Sequence, residues 1–202
     1  NAYTLHDMVF PNPDDSSSGL YLSIETPIIL RRADPNWLLE NDISINKDNV
    51  ISGNFLHADN LPKYSTKYAA ILKATIDAIQ DGPGKIMIYH HRVVMSGVLL
   101  LQEMMHANGI IKLNAVPTAN TRCAVCGNVM HKHTKEHTFR PARFIVAHGG
   151  QSLDRVTMIG NISKFNAASN LDGGEIRVII GSQIIREGLH FAAVRHEFIA
   201  SM

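Results

Sequence analysis

Two hydrophobic periods alternate along the chain from about residue 62 onward. After Ser65, apolar residues recur every three or four positions in YSTKYAAILKATIDAI, which predicts an amphipathic helix that ends at DGPG. The apolar run KIMIYH predicts a buried strand, and GVLLLQEMMHANGI predicts a second helix closed by Asn108-Gly109. The pattern continues with ARFIVAHG as a strand, LDRVTMIGNISKFNAAS as a helix, and GEIRVIIGS and HEFIAS as strands. This order predicts an α/β fold with three layers, in which helices cover a parallel sheet.

The first 60 or so residues lack such a period. FPNPDDSSSG has turn-forming residues at nearly every position and is typical of a loop. LYLSIE and PIILRR are predicted to be short extended pieces, and DISINKDNVISGNF is predicted to be a hairpin around its Lys-Asp-Asn centre. We therefore expect an appendage here rather than an independent core.

Composition narrows the class of protein. The chain has 202 residues, of which 45% are hydrophobic and 18% charged, enough for one sizeable core with a smaller appendage. Its apolar stretches are too short to span a bilayer, and NAYTLHDMVFPNPDD lacks the basic flank and apolar block of a signal peptide. The two closely spaced cysteines favour a reducing compartment.

The net charge of +1 does not decide for or against nucleic acid, but the distribution is uneven. Residues 1–60 carry nine acidic and three basic side chains, whereas residues 121–147 carry five basic side chains and one acidic one. The basic stretch is either a phosphate-facing surface or a solvated loop, and the sequence leaves both open.

GPGKI at residues 82–86 superficially resembles a phosphate-binding loop. The required first glycine is replaced by Ile79, the residue after Lys85 is Ile86 rather than Ser or Thr, and the segment precedes a strand. We therefore interpret it as a helix–strand turn.

A cluster of metal-binding residue types follows residue 122. Cys123 and Cys126 have the C-x-x-C-G spacing of a metal knuckle, and His133 and His137 are four residues apart, so one helical turn would place both rings on one face. These four residues predict a closed, structural zinc site, in which His131 could replace either histidine. The alternative is a pair of reduced thiols beside a histidine-rich loop. A catalytic zinc is disfavoured because no acid–base carboxylate is placed beside an open position.

Polar and small residues follow three of the predicted strands. They are His90, His91 and Arg92 after the first, His148 and Gly149 after the second, and GSQIIREG at the end of the third. Because ligands bind at the carboxyl ends of parallel strands, this edge predicts a binding surface from which these polar side chains emerge. It contains no nucleophile–base pair or acid dyad, so bond-breaking chemistry within the chain is not expected.

The order of these motifs resembles the second RecA-like lobe of superfamily 2 helicases. YSTKYAAIL, GKIMIYHHRVVMSGVLLLQEMMHANGI, FIVAHGG and NLDGGEIRVIIGSQIIREGLHFAAVRHEFI carry the resemblance, which covers about residues 62–202. RCAVCG…HTFRPARF and GSQIIREGLHF look most like the branch from large cytoplasmic DNA viruses, which includes the poxvirus early transcription factor small subunit and its African swine fever virus counterpart.

The resemblance implies roles for particular residues. KIMIYHHR looks like motif IV, so His90, His91 and Arg92 would approach the nucleic-acid backbone, as would His148 and Gly149 on the next strand end. GSQIIREG looks like motif V. Its Ser182 and Gln183 would contact a phosphate of the tracked strand, whereas Glu187 and Gly188 would lie toward the nucleotide between the lobes.

The family's motif VI, its arginine finger and its first lobe have no counterpart in this sequence. The resemblance therefore implies one lobe of a longer motor, with residues 1–61 as an inter-lobe appendage and residues 121–140 as an insert (called the insert below). It also implies ATP and Mg²⁺ in the full-length protein, and DNA, the first lobe of the same polypeptide and a viral RNA polymerase or transcription-factor subunit as partners. The expected location is the host cytoplasm and the virion, without a membrane partner.

Three functions follow from these observations. The first is a motor lobe of an ATP-dependent DNA helicase or translocase in viral transcription, without ATPase activity of its own. The second is a zinc-bearing interaction module whose working surface is the basic stretch Cys123–Arg143. The third, a small-molecule enzyme on a doubly wound sheet, is disfavoured because no glycine-rich fingerprint or catalytic pair accompanies the fold.

Overall fold

Strands and helices follow one another along the part of the chain that the structure describes. The structure is a computed structural model that describes residues 8–14, 19–21, 26–46, 50–94, 96–134, 136–149, 154–186 and 189–201. Its strands are β1 (Val9–Pro11), β2 (Gly19–Tyr21), β3 (Ile43–Ile45), β4 (Ile51–Gly53), β5 (Lys85–His90), β6 (Ile111–Lys112), β7 (Arg143–Ala147), β8 (Val178–Gly181) and β9 (Val194–Ser201). Its α-helices are α1 (Thr26–Arg32), α2 (Pro35–Glu40), α3 (Thr66–Gln80), α4 (Val98–Ala107) and α5 (Arg155–Asn166). The helices and strands predicted beyond residue 62 are confirmed, and the short strand β6 is an addition.

Five parallel strands form the central sheet, in the order β6-β7-β8-β5-β9. At its centre Val146, Ile180 and Ile88 lie side by side on β7, β8 and β5. These residues pack with α3 and α4, whereas Ile145 and Ile179, one position away, pack with α5 on the other face. Helices cover both faces, so the predicted three-layer α/β fold is confirmed.

Local features mark the start of helix α3 and the end of helix α4. The Oγ of Ser65 accepts a hydrogen bond from the N–H of Tyr68 at 3.1 Å, which satisfies an N-terminal donor of α3. After Asp81 the chain turns into β5, as expected of a helix–strand turn rather than a phosphate loop. Helix α4 ends before Gly109, whose φ of 83° is the left-handed conformation predicted for this glycine.

The predictions for the first 60 residues have different outcomes. The predicted hairpin exists, because β3 pairs antiparallel with β4. The predicted extended piece PIILRR is instead part of helix α1, and of LYLSIE only residues 20 and 21 lie within the described part, in β2. A short apolar run does not distinguish a strand from a helix, and a proline in the first turn favours the helix.

The N-terminal region packs against the core of the sheet. Met8, Phe10, Leu30 and Phe55 are almost fully buried in the same hydrophobic cluster as α3, α4 and the sheet. Asn108 adds polar contacts, because its Nδ2 donates to the carbonyl of Leu56 and its Oδ1 accepts the N–H of Ala58. The described residues of this region therefore share the core of the sheet. Among the described residues, no helix reaches the length and apolar character that crossing a membrane requires.

Candidate functional site

Three neighbouring strands end together at one edge of the sheet, called the carboxyl edge below. Ala147, Gly181 and Tyr89 lie in register on β7, β8 and β5. The next residues, His148, Ser182 and His90, therefore follow one another across strands that are about 4.8 Å apart. The structure thus brings together three of the residues that the sequence assigned to one surface.

These three side chains are buried, which differs from the expectation that they emerge from the edge. His90 is 0%, His148 3% and Ser182 4% exposed. The chain after β5 turns back at once, and the N–H of Val98 donates to the carbonyl of Arg92 at 3.1 Å. Helix α4 thereby begins directly at the carboxyl edge. Because side chains alternate between the two faces along a strand, those of His90, His148 and Ser182 lie on the face that α4 covers.

Backbone groups at the carboxyl edge are also engaged. The N–H of Ser182 donates to the carbonyl of Ala147 at 3.0 Å, and its carbonyl accepts the N–H of Ile185. Ser182 was expected to contact a phosphate, but in this conformation its backbone N–H is already bonded within the sheet. A contact through Ser182 therefore requires a local change at the end of β8.

Other predicted residues of the carboxyl edge do face solvent. Arg92, Gly149 and Gln183 are exposed, and His91 is half-buried. Gln183 begins a short 3₁₀ turn that runs to Arg186. Glu187 and Gly188, the predicted nucleotide-facing pair, lie outside the described residues.

The histidines beside Arg92 form a chain of hydrogen bonds. The backbone N–H of Arg92 donates to Nδ1 of His90 at 3.0 Å, and its Nε donates to Nε2 of His91 at 3.1 Å. Nδ1 of His91 lies 2.8 Å from Oγ of Ser201 on β9, and the two imidazole rings stack at 5.2 Å. Because Nε2 of His91 accepts, its proton is on Nδ1 and is donated to Ser201. These bonds hold the exposed Arg92 at the carboxyl edge between β5 and β9.

A cleft of about 440 Å³ opens beside His148. It lies between the β3–β4 hairpin, α4 and the ends of β6 and β7, and Gln102, Asn114 and Asn161 contribute polar side chains to it. Burial lowers the pKa of His148, which favours its neutral form. No spacing in the sequence points to the two asparagines, because the elements that carry them meet only in the folded chain.

The four predicted metal ligands converge in the insert. The ligand atoms of Cys123, Cys126, His133 and His137 all lie within 4.8 Å of one another. Sγ of Cys123 is 3.4 Å from Nε2 of His137, which is 3.0 Å from Nε2 of His133. His131 is not a member, because it is exposed and its Nδ1 lies 2.8 Å from the carbonyl oxygen of Ala119. The geometry thus favours His133 and His137 over the alternative that includes His131.

The two thiols have different environments. Burial opposes ionisation of Cys123, but N–H groups of residues 140, 126 and 125 and the His137 ring outweigh it and lower the pKa of this thiol to about 6. Burial raises the pKa of the Cys126 thiol, and the nearby Cys123 adds to the rise. One thiolate beside two imidazoles is a donor set suited to a divalent metal of intermediate softness.

The arginines of the basic stretch bind the chain itself. Arg122 donates to the carbonyls of Asn108 and Gly127 at 2.9 Å each, and Arg143 donates to those of Lys112, Leu113 and Ala115. Arg140 forms a 2.9 Å ion pair with Asp172. Three of the five basic side chains of the stretch therefore have partners within the chain, whereas Lys132 is exposed and Lys135 lies outside the described residues.

Comparison with known proteins identifies relatives among large DNA viruses. No protein-family model matches the chain. Over 221 aligned residues, which cover the whole chain, it is 42% identical to a protein of African swine fever virus described as an early transcription factor large subunit homolog. It is 26% identical over 172 residues, 75% of the chain, to a protein of Acanthamoeba polyphaga mimivirus, and 26% identical over 142 residues, 70% of the chain, to a protein of Heliothis virescens ascovirus 3e. Both are named "Putative ATP-dependent RNA helicase".

The five-stranded parallel sheet is consistent with a RecA-like lobe, and these relatives support a region like those of the viral superfamily 2 helicases. Within this class, the chain is homologous to part of the early transcription factor large subunit homolog of African swine fever virus. The resemblance to this viral group is confirmed, although the relative carries the large-subunit description and the motifs pointed to the small subunit. The chain spans 19% of the length of that relative, and 15% and 12% of the other two.

Proposed function

We propose that this chain is the second motor lobe of an ATP-dependent helicase or translocase that acts on DNA in viral transcription. The observation that carries the proposal is the carboxyl edge, where β5, β7 and β8 end in register with polar residues. The homology to a viral transcription factor and to proteins named as ATP-dependent helicases supports it. The host cytoplasm and the virion, where such viral factors are expected, are part of the proposal.

The roles that we propose for the carboxyl-edge residues differ according to whether each side chain is exposed or buried. Arg92, Gly149 and Gln183 are exposed and would contact the phosphates of the bound strand directly. His91 would hold Arg92 in place through its 3.1 Å hydrogen bond. His90, His148 and Ser182 would shape the carboxyl edge from beneath and contact the strand only after a local rearrangement.

ATP and Mg²⁺ would be held mainly outside this lobe. The GPGK segment is a helix–strand turn, so the described residues offer no cradle for a triphosphate. Glu187 and Gly188 would form one wall of the nucleotide cleft, and the first lobe of the longer polypeptide would supply the other. In such motors ATP closes two lobes over the strand, so this chain alone should not turn over ATP. Robust hydrolysis by the purified chain would contradict the proposal.

A protein-docking role for the insert is the second candidate, with a polymerase or transcription-factor subunit as partner. Val125 and Met130, which are 41% and 37% exposed, favour it because they are large apolar side chains at the surface of the insert. Reversing the charge of Arg140 and Arg143 would not separate the two functions, since both arginines have structural partners. The exposed Lys132 is the better probe of the insert.

The proposal is tested by the binding of labelled single-stranded DNA and RNA to the purified chain. Arg92→Glu should weaken binding about tenfold at low salt, because it removes one phosphate contact. The slope of log affinity against log salt concentration should become shallower by about one. Lys132→Glu, the same type of charge reversal in the insert, is the matched control and should bind like the wild type. Unchanged binding by Arg92→Glu together with weakened binding by Lys132→Glu would overturn the assignment of the carboxyl edge. Tighter binding of RNA than of DNA would replace DNA as the proposed substrate.

A further inference from the structure

We propose that Cys123, Cys126, His133 and His137 bind one structural zinc ion. The ion would hold the insert against the edge of the sheet at which the strands begin, called the amino edge below. The four side chains come from two segments, the turn that contains both cysteines and the loop that follows the 3₁₀ turn Met130–Lys132. Their ligand atoms meet within 4.8 Å although the segments are separated along the chain. Convergence of two sulfurs and two ring nitrogens is the donor set of a Cys₂His₂ zinc site.

The distances fit a tetrahedron. With Zn–S of about 2.3 Å and Zn–N of about 2.0 Å, the ligand atoms of a tetrahedral site are about 3.3–3.8 Å apart. Two of the observed separations fall close to this range, at 3.4 Å between Sγ of Cys123 and Nε2 of His137 and 3.0 Å between the Nε2 atoms of the two histidines. No two ligand atoms of the cluster are more than 4.8 Å apart, so small side-chain movements would close it around one ion.

The backbone of the cysteine turn has the features of a metal knuckle. The N–H of Val125 donates to Sγ of Cys123 at 3.5 Å, and the N–H of Gly127 donates to the carbonyl of Cys123 at 2.9 Å. Gly127 has a φ of 71°, which a residue with a Cβ rarely adopts, and a Cβ there would lie 2.6 Å from the side chain of Gln80. The glycine thus permits both the tight turn and its close approach to the end of α3.

The alternative, two free thiols beside a solvated loop, explains this arrangement less well than a zinc site does. Cys123 is 0% exposed, and the other three side chains are half-buried. Two imidazole nitrogens 3.0 Å apart can share only one proton, and the sulfur next to them adds a third electron-rich atom. A cation at the centre satisfies all of these atoms at once, whereas a loop without metal has no reason to gather them.

The position of the site indicates a structural role. Arg122, next to Cys123, donates to the carbonyl of Asn108 at the end of α4, and Gly127 contacts Gln80 at the end of α3. Cys123 also forms a β-bridge with Pro141, just before β7 begins. These contacts lie at the amino edge of the sheet, and the five residues of β7 separate this edge from His148 by roughly 15 Å.

The ligand count agrees with that role. Four protein ligands fill a tetrahedral zinc, which leaves no open position for a reacting water. The ion would therefore link the two segments of the insert and stabilise its contacts with α3 and α4. It would take no part in events at the carboxyl edge.

The test is the metal content of the purified chain, followed by cobalt spectroscopy. The wild type should contain about one zinc per chain, and cobalt in its place should give the intense visible bands of a tetrahedral site with thiolate ligands. Cys126→Ser and His137→Asn should each lower the zinc content severalfold, because three remaining ligands bind more weakly. His131→Asn, the matched control at a neighbouring exposed histidine, should keep the wild-type content and spectrum.

A second readout does not depend on variants that fold poorly. A strong chelator should lower the thermal unfolding midpoint of the wild type and of His131→Asn, because zinc binding is coupled to the folded state. A wild-type zinc content far below one per chain, or a cobalt spectrum without tetrahedral bands, would overturn the proposal. So would loss of zinc from His131→Asn equal to the loss from His137→Asn. None of these measurements involves nucleic acid, so their failure is separate from a failure of the proposed function.

Discussion

Nη2 of Arg177 lies 2.9 Å from the carbonyl oxygen of Ala78, so a buried guanidinium caps the last turn of α3. The same side chain donates to the carbonyls of Gly82 and, through Nη1 at 3.0 Å, of Asp172. Arg177 is 1% exposed, and burial lowers its pKa to about 10, although the charge of Asp172 opposes the change. A cation at a helix C-terminus is favoured by the helix dipole and by the unpaired carbonyls there. Arg177 therefore joins α3, the turn before β5 and the turn before β8.

Arg177→Met should destabilise the fold by about 2–4 kcal/mol, because it leaves several buried carbonyls without a donor. The free energy of unfolding in urea measures the change. Arg195→Met is the matched control, since Arg195 is exposed and donates to the carbonyl of Pro83 at 2.6 Å. Its effect should stay within about 0.5 kcal/mol. Equal losses in the two variants would mean that burial does not distinguish these arginines.

The arginines also show what could not be predicted from the sequence, namely the partners of charged side chains. Hydrophobic periodicity predicted the helices and strands beyond residue 62, because burial of one face leaves a repeating pattern. Charge counting treated Arg122, Arg140 and Arg143 as available cations, but their partners are carbonyls and a carboxylate supplied by distant segments. The sequence shows that these residues are positive, and only the fold shows what they bind.

The two candidate sites differ in how far they could be predicted. The four proposed metal ligands are close in sequence, so the C-x-x-C spacing and the histidine pair were sufficient to select the cluster that the structure brings together. The carboxyl edge depends on three strands and on the helix that begins there. Strand endings predicted that His90, His148 and Ser182 would be neighbours, but not that the edge would bury them.

The stability of the fold should fall at acid pH in a way that depends on His148. Burial lowers the pKa of this group from 6.5, and Glu103 of α4 and Lys112 of β6 line the same cleft. As the pH falls through about 6.5, the unfolded chain takes up a proton that the folded state resists, so the unfolded state is favoured. The contribution is fully present above about pH 6.5 and is lost as the pH falls through the folded-state pKa.

His148→Gln removes this titration. Urea unfolding of both proteins at about pH 7.5 and about pH 5 should show a smaller loss of stability on acidification in the variant. His190→Gln, at an exposed histidine, serves as the matched control. An equal acid-induced loss in wild type and His148→Gln would contradict the assignment of the effect to this residue.

Two glycine-to-alanine substitutions should change stability in opposite directions. Gly109 has a φ of 83°, and a Cβ there would lie 2.3 Å from the carbonyl oxygen of Asn120, which belongs to the segment leading into the insert. Gly109→Ala should therefore cost about 1–3 kcal/mol through backbone strain and displacement of that segment. Gly160 lies inside α5, where a Cβ would meet no atom within 4 Å. Gly160→Ala should stabilise by about 0.5–1 kcal/mol, because alanine restricts the unfolded chain and favours the helix. Denaturant midpoints measure both changes. A Gly109→Ala midpoint at or above that of the wild type would show that the close approach does not require a glycine there, and a lowered midpoint of Gly160→Ala would contradict the open position in α5.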